Sequence, residues 1–245
     1  MAVLVPPFFA PSPLGVRAPL STTAFVPTSI ANLSLWLRGD LGITLDGSSN
    51  VSGWTNQAGA NHSATQATAG LRPPMGTING KAAVSFNGTS QYLIDATAGT
   101  PFTTLSGRTT AFVVWEHTTG NGIQVGFHMF QAAAQEAYFY TGITANQGGY
   151  LHRAANAVGT NLTGKHILSG RNFAAALSVF DKTTSHASVA AAGATNAFTT
   201  YTIGSYVTPA NYFGGKVGEI LVYDRELNST ELGQVITYLS AFWGI

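Results

Sequence analysis

The chain has 245 residues, no cysteine, only 9% charged side chains and a formal net charge of +1. The missing cysteines exclude a disulfide framework and a thiolate metal site. The low charge, with no basic run, excludes binding driven by neutralising nucleic-acid phosphates. No apolar stretch approaches the roughly 18 residues of a membrane-spanning helix, so neither nucleic acid nor membrane is an expected partner.

In chain order the first feature is proline. Six of the ten prolines (Pro6, Pro7, Pro11, Pro13, Pro19 and Pro27) lie in the first 27 residues. Proline fixes φ, removes a donor and pushes its predecessor to extended geometry, so residues 1–30 are expected to form an extended, polyproline-like arm. No Lys or Arg precedes the apolar run at Met1–Val5, and Pro6 and Pro7 interrupt it, which argues against a secretory signal. The arm carries Val3, Leu4, Val5, Phe8 and Phe9. That is more apolar surface than a solvated linker holds, so these side chains are candidates for docking on a partner or on the arm's own domain.

From residue 31 short apolar runs alternate with turn residues. Strands are predicted at Leu33–Leu37, Lys81–Phe86, Gln91–Ile94, Thr109–Glu116, Ile123–Phe130 and Ala137–Thr141. Further strands are predicted at Gly149–Arg153, His166–Ser169, Ala176–Phe180, Tyr201–Gly204 and Gly215–Tyr223. Asn87-Gly88 is a strong turn signal between two of them. Strands at this spacing without intervening helical patterns imply an all-β sandwich or barrel. One helix is predicted, at the C-terminus. Asn228 is its N-cap, Glu231 completes a capping box, and Leu232, Val235, Ile236, Leu239 and Trp243 form one apolar face.

Three stretches then carry a family likeness: Leu35-Trp36-Leu37-Arg38-Gly39-Asp40 with Val51-Ser52-Gly53-Trp54, Asn79–Gly88 with Gln91-Tyr92-Leu93, and Phe213–Tyr223 through Tyr238-Leu239 to Trp243-Gly244-Ile245. Together they resemble the concanavalin A-like, laminin G-like jelly-roll domains of bacterial surface proteins and phage virion proteins. The resemblance frames residues 31–245 and implies two stacked antiparallel sheets that bind carbohydrate or protein, sometimes with calcium. The proline-rich arm is not part of the family's pattern.

Glycoside hydrolases on such a scaffold need two carboxylates, one donating a proton while the other attacks or activates water. Here Glu116 has no acidic neighbour two or three residues away, and Asp and Glu total ten. The six histidines show no metal-ligand spacing, and Asp46, Asp95, Asp181 and Asp224 are too scattered to suggest calcium. Arg38-Gly39-Asp40 reads as a turn after the Trp36 strand rather than as an adhesion tripeptide. The segment 127–153 is the candidate ligand face: His128, Tyr138, Tyr140, Tyr150, His152 and Arg153 offer flat rings and hydrogen-bond donors of the kind sugars use. Strand alternation turns about half of them to the core. The expected protein is therefore a non-enzymatic virion component without a cofactor, fixed among other virion proteins in a symmetric assembly by its arm and able to meet host-surface carbohydrate. A free carbohydrate-binding module of a bacterial surface system is the alternative, and a glycoside hydrolase the third.

Overall fold

The computed structural model describes residues 25–59, 61–95, 97, 102–103, 108–118, 122–132, 135–142, 148–152, 155–159, 162–172, 176–190 and 197–245. Its strands are β1 (Leu33–Arg38), β2 (Ile43–Leu45), β3 (Val51–Trp54), β4 (Ala64–Thr65), β5 (Met75–Ile78), β6 (Lys81–Asn87), β7 (Leu93–Ile94), β8 (Phe102–Thr103), β9 (Thr110–His117) and β10 (Gln124–Ala132). They continue as β11 (Gln135–Thr141), β12 (Gly148–His152), β13 (Ala155–Gly159), β14 (Gly164–Asn172), β15 (Ala176–Asp181), β16 (Thr184–Ala190), β17 (Ala197–Phe198), β18 (Thr200–Ile203) and β19 (Gly214–Tyr223), before helix α1 (Ser229–Trp243).

Two antiparallel sheets stack face to face, as the resemblance implies. The eight-stranded sheet runs β16-β15-β14-β9-β19-β6-β5, with β1 also on β19, and the nine-stranded sheet runs β13-β12-β11-β10-β18-β7-β4-β3-β2. Strand β19 organises the first. One side pairs with β9 along its length, while the other pairs with β6 through Gly214–Val217 and with β1 through Glu219–Tyr223. The switch falls at Gly218, where the β9 register shifts.

The Asn87-Gly88 turn forms, with Gly88 at φ 73°. It joins no hairpin. β6 pairs with β5 and β19, whereas β7 pairs with β4 and β18, so the chain changes sheet here. Asn87 Oδ1 holds the corner by accepting from the amides of Thr89, Ser90 and Gln91. The strands missed in sequence are weak signals: β2, β3, β4, β5, β8 and β17 are short, β13 is built from Ala, Asn, Val and Gly, and β16 is a polar edge strand.

Two apolar cores result. One lies between the sheets and includes Trp54, Phe86, Trp115, Phe127, Phe139, Ile220 and Val222. The other lies on the outer face of the eight-stranded sheet, where Phe112, Val114, Ile167 and Leu221 meet Leu232, Val235, Leu239 and Trp243 of α1. Each such fully buried side chain contributes on the order of 1.5–3 kcal/mol. Ile236, expected on the apolar face of the helix, and Trp36 are only half-buried against the second. The described part of the stretch that composition assigns to the arm is packed on the domain. Pro27–Ser29 form a 3₁₀ turn, Pro27 and Ile30 are buried, and Tyr223 donates its hydroxyl to Pro27 O at 3.1 Å.

Candidate binding face

The nine-stranded sheet turns Phe127, Met129, Ala137, Phe139, Tyr201 and Ile203 into the inter-sheet core. Alternation therefore sends His128, Glu136, Tyr138, Tyr140 and Thr202 to its outer face. Register then brings them together: His128 on β10 lies opposite Tyr138 on β11 and opposite Thr202 on β18. The chain returns after β18 and lays Tyr206 on the His128 ring, with centroids 4.3 Å apart and planes within 22°.

Hydrogen bonds set the charge state of this cluster. The amide of Val207 donates to His128 Nδ1 at 3.0 Å, so Nε2 carries the imidazole proton and donates it to Glu136 Oε2 at 3.1 Å. The Tyr206 hydroxyl donates to the same oxygen. Burial pushes the His128 pKa down and outweighs the nearby carboxylate, so the ring stays neutral. Burial pushes Glu136 up, but the bonds from His128 and Tyr206 outweigh it and hold the carboxyl below its ordinary range. Burial and the Glu136 charge raise Tyr138 and Tyr206, while burial lifts Tyr140 to about 12 against the bond it donates to Asn156.

The face thus presents one carboxylate, its side chain 14% exposed, beside the half-buried rings of Tyr138 and Tyr206, while His128 and Tyr140 are buried beneath them. Tyr138 stands edge-on to Tyr206 at 5.7 Å and 85°, and edge-on to Tyr140 at 5.6 Å. Such a site accepts hydrogen bonds and offers ring surface to apolar C–H groups. Both His128 nitrogens are engaged, which leaves the imidazole no lone pair for taking up a proton.

Of the six residues proposed from sequence for this face, His128, Tyr138 and Tyr140 do come together. Tyr150 does not. It lies fully buried between the sheets, because β12 places it opposite Phe139 and Gly170 of the opposing sheet leaves room for its ring. His152 is described only as the backbone partner of Ala137, and Arg153 lies outside the described residues, as do Val3, Leu4, Val5, Phe8 and Phe9 of the arm. Glu136 was missed, although it sits two residues before Tyr138 and so on the same strand face. Tyr206 carries no local signal, since only the tertiary return brings it to His128.

Every acidic side chain of the chain is described, and each is engaged. Asp40 pairs with Arg38, Asp46 with Arg72, Asp95 with His62, Glu116 with Lys216, Asp181 with His166, Glu226 with Arg108 and Glu231 with Arg225. Asp224 accepts from Ser34 and Glu219 from Trp36, Tyr238 and Trp243. Among the described residues no group of three His, Asp or Glu side chains comes together as a metal site would require. The Arg38-Gly39-Asp40 turn is closed on itself by the 2.6 Å ion pair, and a Cβ on Gly39 would stand 2.2 Å from the Ala82 carbonyl oxygen, so this tripeptide serves packing.

No protein-family model and no curated protein sequence matches the chain. Solved structures do. The sialidase of Trypanosoma rangeli in complex with sialic acid superposes with a TM-score of 0.59 at 18% identity, over 87% of this chain and 33% of that one. The receptor binding domain of botulinum neurotoxin D superposes with a TM-score of 0.62 at 8% identity, over 87% of this chain and 54% of that one. This chain thus spans about a third of the sialidase and about half of the toxin domain. At these identities the likeness is one of fold.

Proposed function

We propose that this β-sandwich is a non-catalytic module that binds carbohydrate on the outer face of its nine-stranded sheet. The observation that carries the reading is the Glu136 carboxylate set beside the mutually perpendicular rings of Tyr138 and Tyr206. A sugar supplies hydroxyl donors for such an acceptor and a C–H face for such rings. The engagement of all ten carboxylates in other contacts supports a binding role over hydrolysis, which needs two carboxyl groups free to act on one bond. Two of the folds it resembles belong to a sialidase crystallised with sialic acid and to a receptor binding domain, which agrees with a recognition role.

The test is a glycan panel read by array and then by titration calorimetry, with Tyr138→Ala and Glu136→Gln beside the parent chain. A glycan bound by the parent is expected to lose about tenfold or more in affinity in each variant, since a charged hydrogen bond or a ring contact is worth about 1–3 kcal/mol. A parent that binds no glycan, or that cleaves one and loses that activity in Glu116→Gln, overturns the reading.

The finer part of the proposal is the location: a virion, with the arm as the anchor and Val3, Leu4, Val5, Phe8 and Phe9 as its contacts. Its support is compositional, because an extended proline-rich segment cannot bury five large apolar side chains against itself. Deleting residues 1–24 is expected to abolish incorporation into particles while the deleted chain still binds the glycan. Undiminished incorporation removes the arm's role as anchor.

A further inference from the structure

The candidate binding face is closed on one side by the chain's return between β18 and β19. The base of this return is fixed to the sandwich: the Phe213 amide donates to Gly204 O at 2.9 Å, and the Val125 amide donates to Asn211 O at 2.8 Å. Within it the Tyr206 amide donates to Ala210 O at 3.0 Å, which closes residues 206–210 into one turn. Thr208, Pro209 and Ala210 at its tip are exposed. Toward the tip the return is held to the sheet at His128 and Glu136. The Val207 amide donates to His128 Nδ1 at 3.0 Å, the Tyr206 hydroxyl donates to Glu136, and the Tyr206 ring stacks on the imidazole. Thr202 adds a bond to Ser205 O at 2.6 Å.

A backbone amide can only donate, so the Val207 contact exists only while Nδ1 is unprotonated. An imidazolium carries a proton on both nitrogens. Its Nδ1–H would point at the Val207 N–H, donor against donor, on a fully buried ring. Burial holds the His128 pKa below its ordinary value, against the pull of Glu136 at Nε2. The other titratable groups facing the ring keep one state near neutral pH. Glu136 is pushed up by burial but drawn further down by His128 and Tyr206, and stays charged. Tyr138 and Tyr206, raised by burial and by Glu136, stay neutral. Phe130 on β10 and Thr202 on β18, also beside the ring, do not titrate. When the return lifts, water reaches Nδ1 and the ordinary value of about 6.5 applies. Between that value and the lowered one, protons bind the open form alone, so falling pH draws the return off the ring.

We propose that the return is a pH-operated clasp on the carbohydrate face: protonation of His128 at Nδ1 releases Val207, Tyr206 lifts from the imidazole, and a bound sugar loses one wall of its site. His128 is thus a positioning residue that acts on the sugar through Tyr206. The sugar as ligand rests on the carbohydrate reading, whereas the movement of the return stands on the His128 contacts alone.

The movement is measured first, in the isotope-labelled full chain without sugar. Protection of the Val207 amide from exchange, corrected for the intrinsic rate, is expected to fall about tenfold from pH 7 to pH 5. In His128→Asn the side-chain carbonyl can accept from Val207 and does not titrate, so protection there is expected to change by less than about twofold. Unchanged protection in the parent overturns the clasp, as does an equal loss in the variant. The imidazole nitrogen shifts of the parent add a measurement that does not depend on the variant's folding. Proton uptake at Nδ1 is expected to accompany the loss of protection, and loss of protection with Nδ1 unprotonated overturns the clasp. Affinity for a panel glycan that the parent binds at pH 7 is expected to fall about tenfold over the same range. Undiminished affinity with the return open overturns the release of sugar. A parent that binds no panel glycan at pH 7 overturns the carbohydrate reading instead, and Val207 protection still decides the clasp.

Discussion

Glu219 shows how one buried residue ties several elements together. Its carboxylate lies under α1 and accepts from Trp36 Nε1 at 2.7 Å, Tyr238 Oη at 2.8 Å and Trp243 Nε1 at 2.7 Å. Burial lifts its pKa to about 7, against the opposing effect of these donors and Arg38. A carboxyl whose folded pKa is raised keeps its proton in the fold after the unfolded chain has lost it. Its contribution therefore declines as pH rises from about 4.5 to about 7. The gap corresponds to roughly 3 kcal/mol. His128 and His117, both lowered by burial, act in the opposite sense, so the informative quantity is a difference. The parent's melting temperature relative to that of Glu219→Gln is expected to fall between pH 5 and pH 8. A pH-independent difference would mean that Glu219 is ionised throughout. Next to it, Gly218 leaves room for the Trp243 ring, which a Cβ would approach to 2.6 Å. Gly218→Ala is expected to cost about 1–3 kcal/mol in chemical denaturation, as overpacking does.

At the scale of the element, α1 follows from its ends. Asn228 accepts from the Glu231 amide at 3.0 Å, and Glu231 returns the bond by accepting from the Asn228 amide at 3.0 Å. Arg225 adds an ion pair to Glu231 at 2.6 Å. At the far end Gly244 takes the left-handed conformation, φ 65°, and its amide donates to Ser240 O. Asn228→Ala is expected to lower stability by about 0.5–2 kcal/mol. Trp243→Ala should cost more, about 3–5 kcal/mol, because that ring is buried and its indole N–H is one of the Glu219 donors. A thermal scan in which Trp243→Ala matches the parent would mean that α1 does not hold the sheet.

Over the whole molecule the two cores are not independent. Strands β9 and β19 send side chains into both, Val113 and Ile220 between the sheets and Phe112 and Leu221 beneath the helix. Losing either core strips one face of the same central pair. Unfolding is accordingly expected as a single transition, with calorimetric and van't Hoff enthalpies equal and near- and far-ultraviolet dichroism coincident. Two resolved transitions would show that the helix layer unfolds separately. The arrangement also separates the molecule's two outer faces: the helix and residues 25–30 lie on one, and the candidate binding face lies on the other.

What the sequence by itself determined is whatever depends on neighbours along the chain. Short apolar runs between turn residues marked strands such as β1, β9 and β19, and Asn87-Gly88 marked a turn. Asn228 with Glu231 marked the helix start, because those interactions span a few residues. The tertiary structure decided which face of each strand is covered. Tyr138 and Tyr150 look alike in sequence, yet Tyr150 turns inward onto Gly170 of the opposing sheet while Tyr138 stays at the surface. It also decided that the Asn87-Gly88 turn leads from one sheet to the other, that Tyr206 returns to His128 and that Glu219 gathers two tryptophans. Alternation specifies which residues share a face, but only the packing of one sheet on another determines whether that face meets protein or water.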